Sequence, residues 1–289
     1  MAVIEGTNTG QNPGQGTTAN GESRTASPVL SIEGLRTQFG PTVIHDNLEF
    51  SVQPGEVMGV VGGSGTGKSV LIRTIIGLNK QAAGRITVFG RDLAGLSAAE
   101  TMAMQARWGV LFQDGALFSS LTVAQNIEVP MKEHSDLSPA LRRELIDVKV
   151  SMVGLPPDAA HKYPAELSGG MRKRAGLARA LALDADILFL DEPTAGLDPI
   201  GAANFDLLIG DLQKALGLTV VMVTHDLDSL YAICDRVSVL VNKRVKVGTI
   251  EELMREPDPW IQEYFGGPRG RAAAGSAEQA GATETGPAQ

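Results

Sequence analysis

The sequence has almost no cysteine, few aromatic residues and no long apolar run. Its one cysteine, Cys234, cannot build a disulfide framework, and we expect it to be a small buried hydrophobic residue. No stretch of about 18 apolar residues occurs, and the first segment lacks a basic start and an apolar core. These absences exclude disulfide-stapled mini-proteins, membrane spans and a secretory signal, and they predict a cytosolic globular protein.

The chain also lacks a basic excess, because its net charge is −8. A negative chain is a poor general binder of nucleic acid, so we expect no nucleic-acid partner. Glycine, by contrast, is abundant, with 34 of the 289 residues, and 11 of these glycines lie in 1–28 and 266–289. All aromatic residues lie between Phe39 and Phe265. Because the flanks hold too few apolar residues to offset the entropy of ordering, we expect disordered tails at 1–28 and 266–289 and one domain over 29–265.

Short runs rich in β-branched residues alternate with helical patterns in this body. The runs Val57–Val61, Ile187–Leu190 and Thr219–Val223 are apolar on both faces, which is typical of central parallel strands covered by helices. The alternation predicts an α/β fold class. Between about 115 and 180 the spacing becomes almost wholly helical, which predicts a helical insertion into the core. The helical patterns that follow the strands are Ser69–Gly77, Ile200–Leu216 and Leu227–Cys234.

A glycine-rich phosphate loop follows the first of these strands. The sequence GGSGTGKS at 62–69 satisfies G-x-x-x-x-G-K-[ST] between a strand and a helix, the context that the motif requires. Glycines let backbone N–H groups turn inward around an anion, Lys68 can reach the β- and γ-phosphates, and the Ser69 hydroxyl can bind Mg²⁺. The residues predicted to hold the nucleotide here are Gly62, Gly63, Ser64, Gly65, Thr66, Gly67, Lys68, Ser69 and Val70.

Acidic and histidine side chains follow two other apolar strands. Asp191 and Glu192 end the run at Ile187, and His225 follows the run at Thr219. Neighbouring side chains on a strand point differently, so Asp191 can hold Mg²⁺ through water while Glu192 faces the γ-phosphate and the attacking water. Because ligands bind beyond the carboxyl ends of parallel strands, these groups should gather with Lys68. The pattern predicts hydrolysis of a nucleoside triphosphate.

A second serine–glycine turn opens a helix at 167–171, with the sequence LSGGM. The Ser168 hydroxyl and the backbone N–H groups of Gly169 and Gly170 form an anion site or, more simply, a helix cap. The basic residues that follow, Arg172–Arg174, are expected to form a solvated helix face.

Taken together, these motifs resemble those of the ATP-binding-cassette (ABC) ATPases, in matching order across the whole body. The resemblance implies a P-loop NTPase core with a β-rich N-terminal subdomain and an inserted α-helical subdomain. It implies a head-to-tail dimer in which two ATP molecules lie between the phosphate loop of one copy and the Ser168 turn of the other. It also implies that Phe39 stacks on adenine, that Gln113 lies near Mg²⁺ and the attacking water, that Asp198 lies at the dimer interface and that His225 lies near the γ-phosphate.

Two segments resemble more closely the ATPase subunits of bacterial Mla/MCE-type phospholipid transporters. They are the signature with Met171 where glutamine is usual, and the run FQDGALF at 112–118. This resemblance implies a transmembrane permease, lipid-binding MCE-type accessory subunits and a position on the cytoplasmic face of the inner membrane. The segment Asp114–Leu121, with Leu117 and Phe118 as apolar anchors, is the expected permease contact.

Two other functions and one packing question remain open from the sequence. The chain could serve another importer, for an amino acid or a metal. A non-transport cassette protein acting on ribosomes or DNA is disfavoured by the single cassette, the lack of sustained heptads and the negative charge. The apolar segment Pro259–Phe265 could pack on its own body, the simpler expectation, or on the dimer partner.

Overall fold

A computed structural model describes residues 27–284. Residues 1–26 of the tail expected at 1–28, and residues 285–289 of the tail expected at 266–289, lie outside the described residues. Within the described range the strands form two sheets, one of four strands and one of six. The strands are β1 (Leu30–Phe39), β2 (Thr42–Val52), β3 (Val57–Gly62), β4 (Ala83–Val88), β5 (Arg91–Asp92), β6 (Trp108–Leu111), β7 (Ile187–Asp191), β8 (Thr219–Val223), β9 (Arg236–Val241) and β10 (Arg244–Gly248).

The six-stranded sheet is the core of the α/β fold. Its order is β10-β9-β3-β8-β7-β6, and all neighbours are parallel except β10, which pairs antiparallel with β9 at one edge. The three strands that are apolar on both faces, β3, β8 and β7, lie side by side in its interior, as their composition predicts. Their carboxyl ends therefore meet at one edge of the sheet.

The four-stranded sheet forms the β-rich N-terminal part, with antiparallel order β2-β1-β4-β5. Its inner face shares a hydrophobic core with the larger sheet, in which Leu30, Phe50 and Ile86 pack with Val60 and Phe189. Because β2 runs directly into β3, this packing also places the small sheet beside the phosphate loop.

Helices cover the large sheet and fill the stretch between β6 and β7. The α-helices are α1 (Lys68–Ile75), α2 (Ala98–Gln105), α3 (Val123–His134), α4 (Pro139–Met152), α5 (Gly169–Ala180), α6 (Pro199–Leu216), α7 (Leu227–Ile233), α8 (Ile250–Leu253), α9 (Pro259–Gly266) and α10 (Pro268–Glu284). The stretch from 115 to 180 runs through α3, α4 and α5. The Ser138 hydroxyl accepts the Leu141 N–H and Pro139 opens α4, which is the start that these residues favour.

The expectation of a disordered tail from 266 is wrong for 266–284, because α10 occupies 268–284. Alanine has the highest helix propensity, and its small side chain lets α10 lie close to α7, with Ala273 buried. The preceding helix α9 is capped by the Asp258 carboxylate, and it packs on its own body through Ile261 and Phe265. Apolar content alone does not predict an ordered segment here, because alanine stabilises a helix without burying much area.

Replacing Phe265 with alanine should lower the free energy of unfolding by about 3–5 kcal/mol. The Phe265 ring is 1% exposed and packs with Val61 and Val239 of the large sheet, so its loss leaves a cavity. Urea unfolding of the variant measures the effect. Glu263→Ala, on the exposed side of the same helix, is the matched control and should change stability by less than about 0.5 kcal/mol. Equal stability of Phe265→Ala and the wild type would show that α9 does not pack here.

Candidate functional site

The phosphate loop lies between β3 and α1 and is shaped by glycines in the left-handed region. Gly65 and Gly67 have φ of 78° and 94°, which favour glycine. A Cβ at Gly67 would lie 2.4 Å from Ile44 Cγ2 and 2.5 Å from His45 Nε2, so no larger residue fits between the loop and β2. No side chain of the described residues caps the start of α1. The start of α1 is therefore left uncapped beside the loop, and the free N–H groups of a helix start are the donors that bind an anion.

Lys68 holds its ammonium over this loop. Its Nζ donates to the carbonyl oxygens of Gly62, at 2.8 Å, and of Gly63, at 3.1 Å. Burial lowers the pKa of Lys68, while the nearby carboxylates of Glu192 and Asp191 raise it. The positive charge is thus placed where phosphate oxygens would enter the loop, and it faces the acidic ends of β7.

Two oxygen donors suited to Mg²⁺ lie next to Lys68. The Ser69 hydroxyl donates to Asp191 Oδ1 at 3.0 Å, and Asp191 is 6% exposed at the end of β7. A hydroxyl and a carboxylate are hard ligands, and Mg²⁺ commonly takes one or two protein oxygens and completes its shell with phosphates and water. Among the described residues no group of three or more acidic, histidine or cysteine side chains could hold a metal by itself. The Ser69 hydroxyl and the Asp191 carboxylate are the kind of oxygen donors that fit a Mg²⁺ ion shared with nucleotide phosphates.

Glu192 and His225 form a pair at the adjoining strand ends. Glu192 Oε2 lies 2.7 Å from His225 Nδ1, and the Glu192 and His225 side chains are 16% and 72% exposed. Glu192 has φ of 52°, a conformation that costs an L-residue energy and persists only where its surroundings impose it. Its N–H donates to the Val223 carbonyl of β8 at 2.9 Å, which is one of those restraints.

Gln113 follows β6 and joins this edge through its backbone. Its carbonyl accepts a hydrogen bond of 2.7 Å from Lys173 Nζ, which also donates to the Glu192 carbonyl at 3.2 Å. Lys173 is 6% exposed, so the expectation of a solvated face at Arg172–Arg174 is wrong for this residue. Its position four residues before the buried Leu177, on the inner face of α5, is the signal that could have found it.

The neighbours of Lys173 are also engaged in hydrogen bonds with backbone. Arg172 Nη1 donates to the Leu167 carbonyl at 2.9 Å, and Arg174 Nη1 donates to the Val153 carbonyl at 2.6 Å. Arg172 is exposed, as the expectation of a solvated face requires, whereas Arg174 is half-buried and ties α5 to the end of α4.

The Ser168 turn is an exposed helix start that opens α5. Ser168 caps α5 by accepting the Met171 N–H at 3.2 Å, and Ser168 and Gly169 are exposed. Asp198 caps α6 in the same way, accepting from Gly201 N–H at 2.9 Å, and is exposed as well. Within the described part of the chain, no hydrogen bond joins the Ser168 turn to the phosphate loop. Phe39, at the end of β1, is 52% exposed beside the turn that leads into β2.

Three aromatic side chains lie near the phosphate loop or His225, and the sequence did not predict these positions. His45 is fully buried against Gly67, with Nδ1 2.8 Å from Thr37 Oγ1, and burial lowers its pKa to about 4. Trp260 and Tyr264 of α9 stack with ring centroids 4.7 Å apart. A Cβ at Gly63 would lie 3.6 Å from Trp260 Nε1, and the Tyr264 hydroxyl donates to the His225 carbonyl at 3.3 Å. Helix α9 thus lies beside the phosphate loop and is hydrogen-bonded to the backbone of His225.

Comparison with known proteins gives one family throughout. The model of the ABC transporter family, ABC_tran, matches residues 45–195. A solved structure described as a dimeric, post-hydrolysis state of the ATP-binding cassette MJ0796 bound to ADP and phosphate is 27% identical. It superposes with a TM-score of 0.69, covering 76% of this chain and 98% of that one.

Three curated relatives are similar over most of this chain. The intermembrane phospholipid transport system ATP-binding protein MlaF of Escherichia coli K12 is 37% identical, covering 83% of this chain and 89% of its own length. A protein of Mycobacterium tuberculosis named a probable ribonucleotide transport ATP-binding protein, mkl, is 38% identical, covering 83% and 67%. The methionine import ATP-binding protein MetN of Rhizobium johnstonii is 35% identical, covering 89% and 74%.

Proposed function

Because this chain belongs to the ABC transporter family and is an ATPase coupled to transport, we propose that it powers the movement of phospholipid between membranes. The observation that supports the chemistry is the convergence of Lys68, the Ser69–Asp191 pair and the Glu192–His225 pair at one sheet edge. The observation that supports the substrate is the similarity to MlaF over 89% of that protein.

In the proposed mechanism the protein binds and polarises the phosphates of ATP, and it orients the water that attacks them. The N–H groups of the loop and the Lys68 ammonium would bind the β- and γ-phosphates, and Ser69 and Asp191 would hold Mg²⁺. When bound, Mg²⁺ neutralises charge that develops on the phosphate oxygens. Glu192 orients the attacking water and accepts its proton, and Gln113 contributes to the same water site. His225 lies beside the γ-phosphate and keeps the Glu192 carboxylate oriented through their hydrogen bond.

A second copy of the chain completes each ATP site in this proposal. Ser168, Gly169 and Asp198 are exposed, and in the described residues no hydrogen bond joins the Ser168 turn to the phosphate loop of its own chain. A head-to-tail dimer would place the Ser168 turn of one copy against the ATP held by the other. The dimeric state of the MJ0796 cassette supports this arrangement. ATP then favours the closed dimer, and hydrolysis removes the γ-phosphate contacts that hold it closed.

A transmembrane permease is the second proposed partner. No helix in residues 27–284 is long and apolar enough to cross a membrane. We place the chain on the cytoplasmic face of the inner membrane, attached through that permease, with lipid-binding MCE-type accessory subunits in the same complex.

A groove of about 280 Å³ beside the segment 114–121 is the proposed docking site for the permease. It is lined by Trp108, Phe118, Pro130, Arg179 and other residues of α3, α5 and β6. The Phe118 ring is 51% exposed, and the Arg179 guanidinium lies 6.0 Å from its centre. Arg179 also donates to the carbonyls of Ala116, at 2.7 Å, and Gly115, at 3.0 Å. These bonds hold Phe118 at the mouth of the groove, where a cytoplasmic helix of the permease can pack on it.

Replacing Phe118 with aspartate should reduce the amount of copurified permease by about tenfold or more, since exposed aromatic anchors carry much of the energy of an interface. The measurement is quantitative mass spectrometry of the complex extracted from membranes in mild detergent. Met254→Asp, an exposed apolar residue outside the groove, is the matched control and should leave the permease bound. Normal copurification of the Phe118 variant would remove this surface as the docking site.

Copurification also decides between the substrates. The names of the relatives point to phospholipid, ribonucleotide and methionine, so the similarity to MetN makes an amino-acid importer the second candidate. Mass spectrometry of the intact complex should find phospholipid and MCE-type subunits. A soluble solute-binding subunit with a bound amino acid, and no lipid-binding subunit, would overturn the phospholipid proposal.

A further inference from the structure

Lys173 is a buried ammonium group with an unusual pair of partners. Its side chain extends from α5 to the sheet edge where β6 and β7 end. There Nζ donates to the carbonyls of Gln113 and Glu192 at 2.7 and 3.2 Å. A buried charge is costly unless it is hydrogen-bonded, so these carbonyls are what make this position tolerable. Burial lowers the pKa of Lys173, while the nearby carboxylates of Asp114 and Glu192 raise it.

The two carbonyls belong to the two loops that are proposed to carry the groups around the attacking water. Gln113 lies after β6 and Glu192 after β7, and these strands are neighbours in the sheet. The Glu192 backbone has a positive φ and needs restraint on both sides. Its N–H donates to the Val223 carbonyl, and its carbonyl accepts hydrogen bonds from both Lys173 Nζ and the Ala195 N–H. Lys173 therefore supplies one of three hydrogen bonds on this backbone, and it is the one that comes from α5.

Lys173 also lies on the helix that Ser168 opens. It lies four positions after Gly169, the first residue of α5, which is about 6 Å along the helix axis. The adjacent Arg172 and Arg174 bind carbonyls of Leu167 and Val153, away from the two catalytic loops. Among these three basic residues, therefore, Lys173 alone joins α5 to both Gln113 and Glu192.

We propose that Lys173 is a positioning residue for ATP hydrolysis, which ties the Gln113 and Glu192 loops to each other and to the helix behind the Ser168 turn. Engagement of that turn by the ATP of a second copy then fixes the two loops at the spacing that water attack requires. Lys173 itself touches neither ATP nor water. The proposal rests on the ATPase activity and on the dimer of the proposed function, but not on the transported substrate.

Lys173→Met tests this role, because methionine has similar length and removes both hydrogen bonds. Losing bonds from a charged donor should lower kcat by about tenfold to a hundredfold, with the KM for ATP changed by less than about twofold. Lys173→Gln keeps a donor for one carbonyl and should restore part of the lost kcat. Arg174→Met, which breaks only the bond to Val153, is the matched control and should keep kcat within about twofold of the wild type.

Turnover is measured as phosphate release at saturating ATP, together with the melting temperature of each variant. The proposal is overturned if the methionine variant keeps wild-type kcat, or if Arg174→Met loses kcat equally. If the methionine variant does not fold, the glutamine variant decides: a folded protein with unchanged kcat contradicts the proposal, and a loss of about threefold or more supports it. Because ATP alone is the substrate in this assay, the result is independent of whether the transporter carries phospholipid.

Discussion

Replacing Glu192 with glutamine is expected to slow ATP turnover by about a hundredfold to a thousandfold, while ATP still binds. Glutamine keeps the size of the side chain and an oxygen that can accept a hydrogen bond from His225, so the shape of the site is preserved. It cannot accept a proton from water, so the step that needs a base is lost. In the proposed cycle the closed dimer opens only after hydrolysis, so the variant should also accumulate as an ATP-bound dimer.

Phosphate release measures the turnover of this variant, nucleotide titration measures its affinity, and light scattering with ATP measures its dimer. Glu49→Gln is the control, since Glu49 is an exposed carboxylate of β2 that lies outside the site, and it should leave all three unchanged. Wild-type turnover by Glu192→Gln would show that Glu192 is not the base. The Lys68, Ser69 and Asp191 contacts would then still describe ATP binding, but not the hydrolytic step.

Mixing two inactive variants, Lys68→Ala and Ser168→Arg, is expected to restore activity. Lys68→Ala alone lacks the ammonium that binds phosphate. Ser168→Arg alone blocks the Ser168 turn with a bulky side chain. In a mixed dimer, the intact Lys68 of one copy faces the intact Ser168 of the other. About a quarter of wild-type turnover should return, because about half of the dimers are mixed and each has one intact site.

The control mixture puts both changes into one chain and pairs it with Lys68→Ala, so that no dimer has an intact site. That mixture should stay inactive. If the test mixture of Lys68→Ala and Ser168→Arg also stays inactive, the Ser168 turn acts within its own chain or does not contact ATP. Full wild-type turnover in the test mixture would equally exclude a composite site.

The sequence predicted those parts of the site that depend on neighbouring residues. Glycine spacing at 62–67 fixes a backbone turn, and the apolar runs before Asp191 and His225 fix parallel strands in the interior of a sheet. Parallel strands end at one edge, so the meeting of Lys68, Asp191, Glu192 and His225 follows from these local patterns. The hydrogen bonds from Ser69 to Asp191 and between Glu192 and His225 agree with that expectation.

The contacts that the sequence did not predict join residues that are far apart in the chain. Lys173 reaches carbonyls 60 and 19 residues away, and the Tyr264 hydroxyl reaches the His225 carbonyl 39 residues away. A basic or aromatic residue has the same local pattern whether it faces water or a loop of the site, so the spacing near Lys173 gave only a hint. Likewise, the alanine-rich segment after 267 has the composition of a disordered tail, and its order as a helix comes from packing against α7.

The amino-acid sequence alone therefore determined the family, the phosphate loop and the strand ends that carry the acidic and histidine side chains, because backbone turns and strand periodicity are encoded locally. The tertiary structure decided which polar groups are buried and what they contact: His45 packs against Gly67, and Lys173 binds the carbonyls of Gln113 and Glu192. It also decided that α9 lies beside the phosphate loop and His225. Burial and hydrogen bonding at long range depend on how elements pack, and packing is a property of the whole chain.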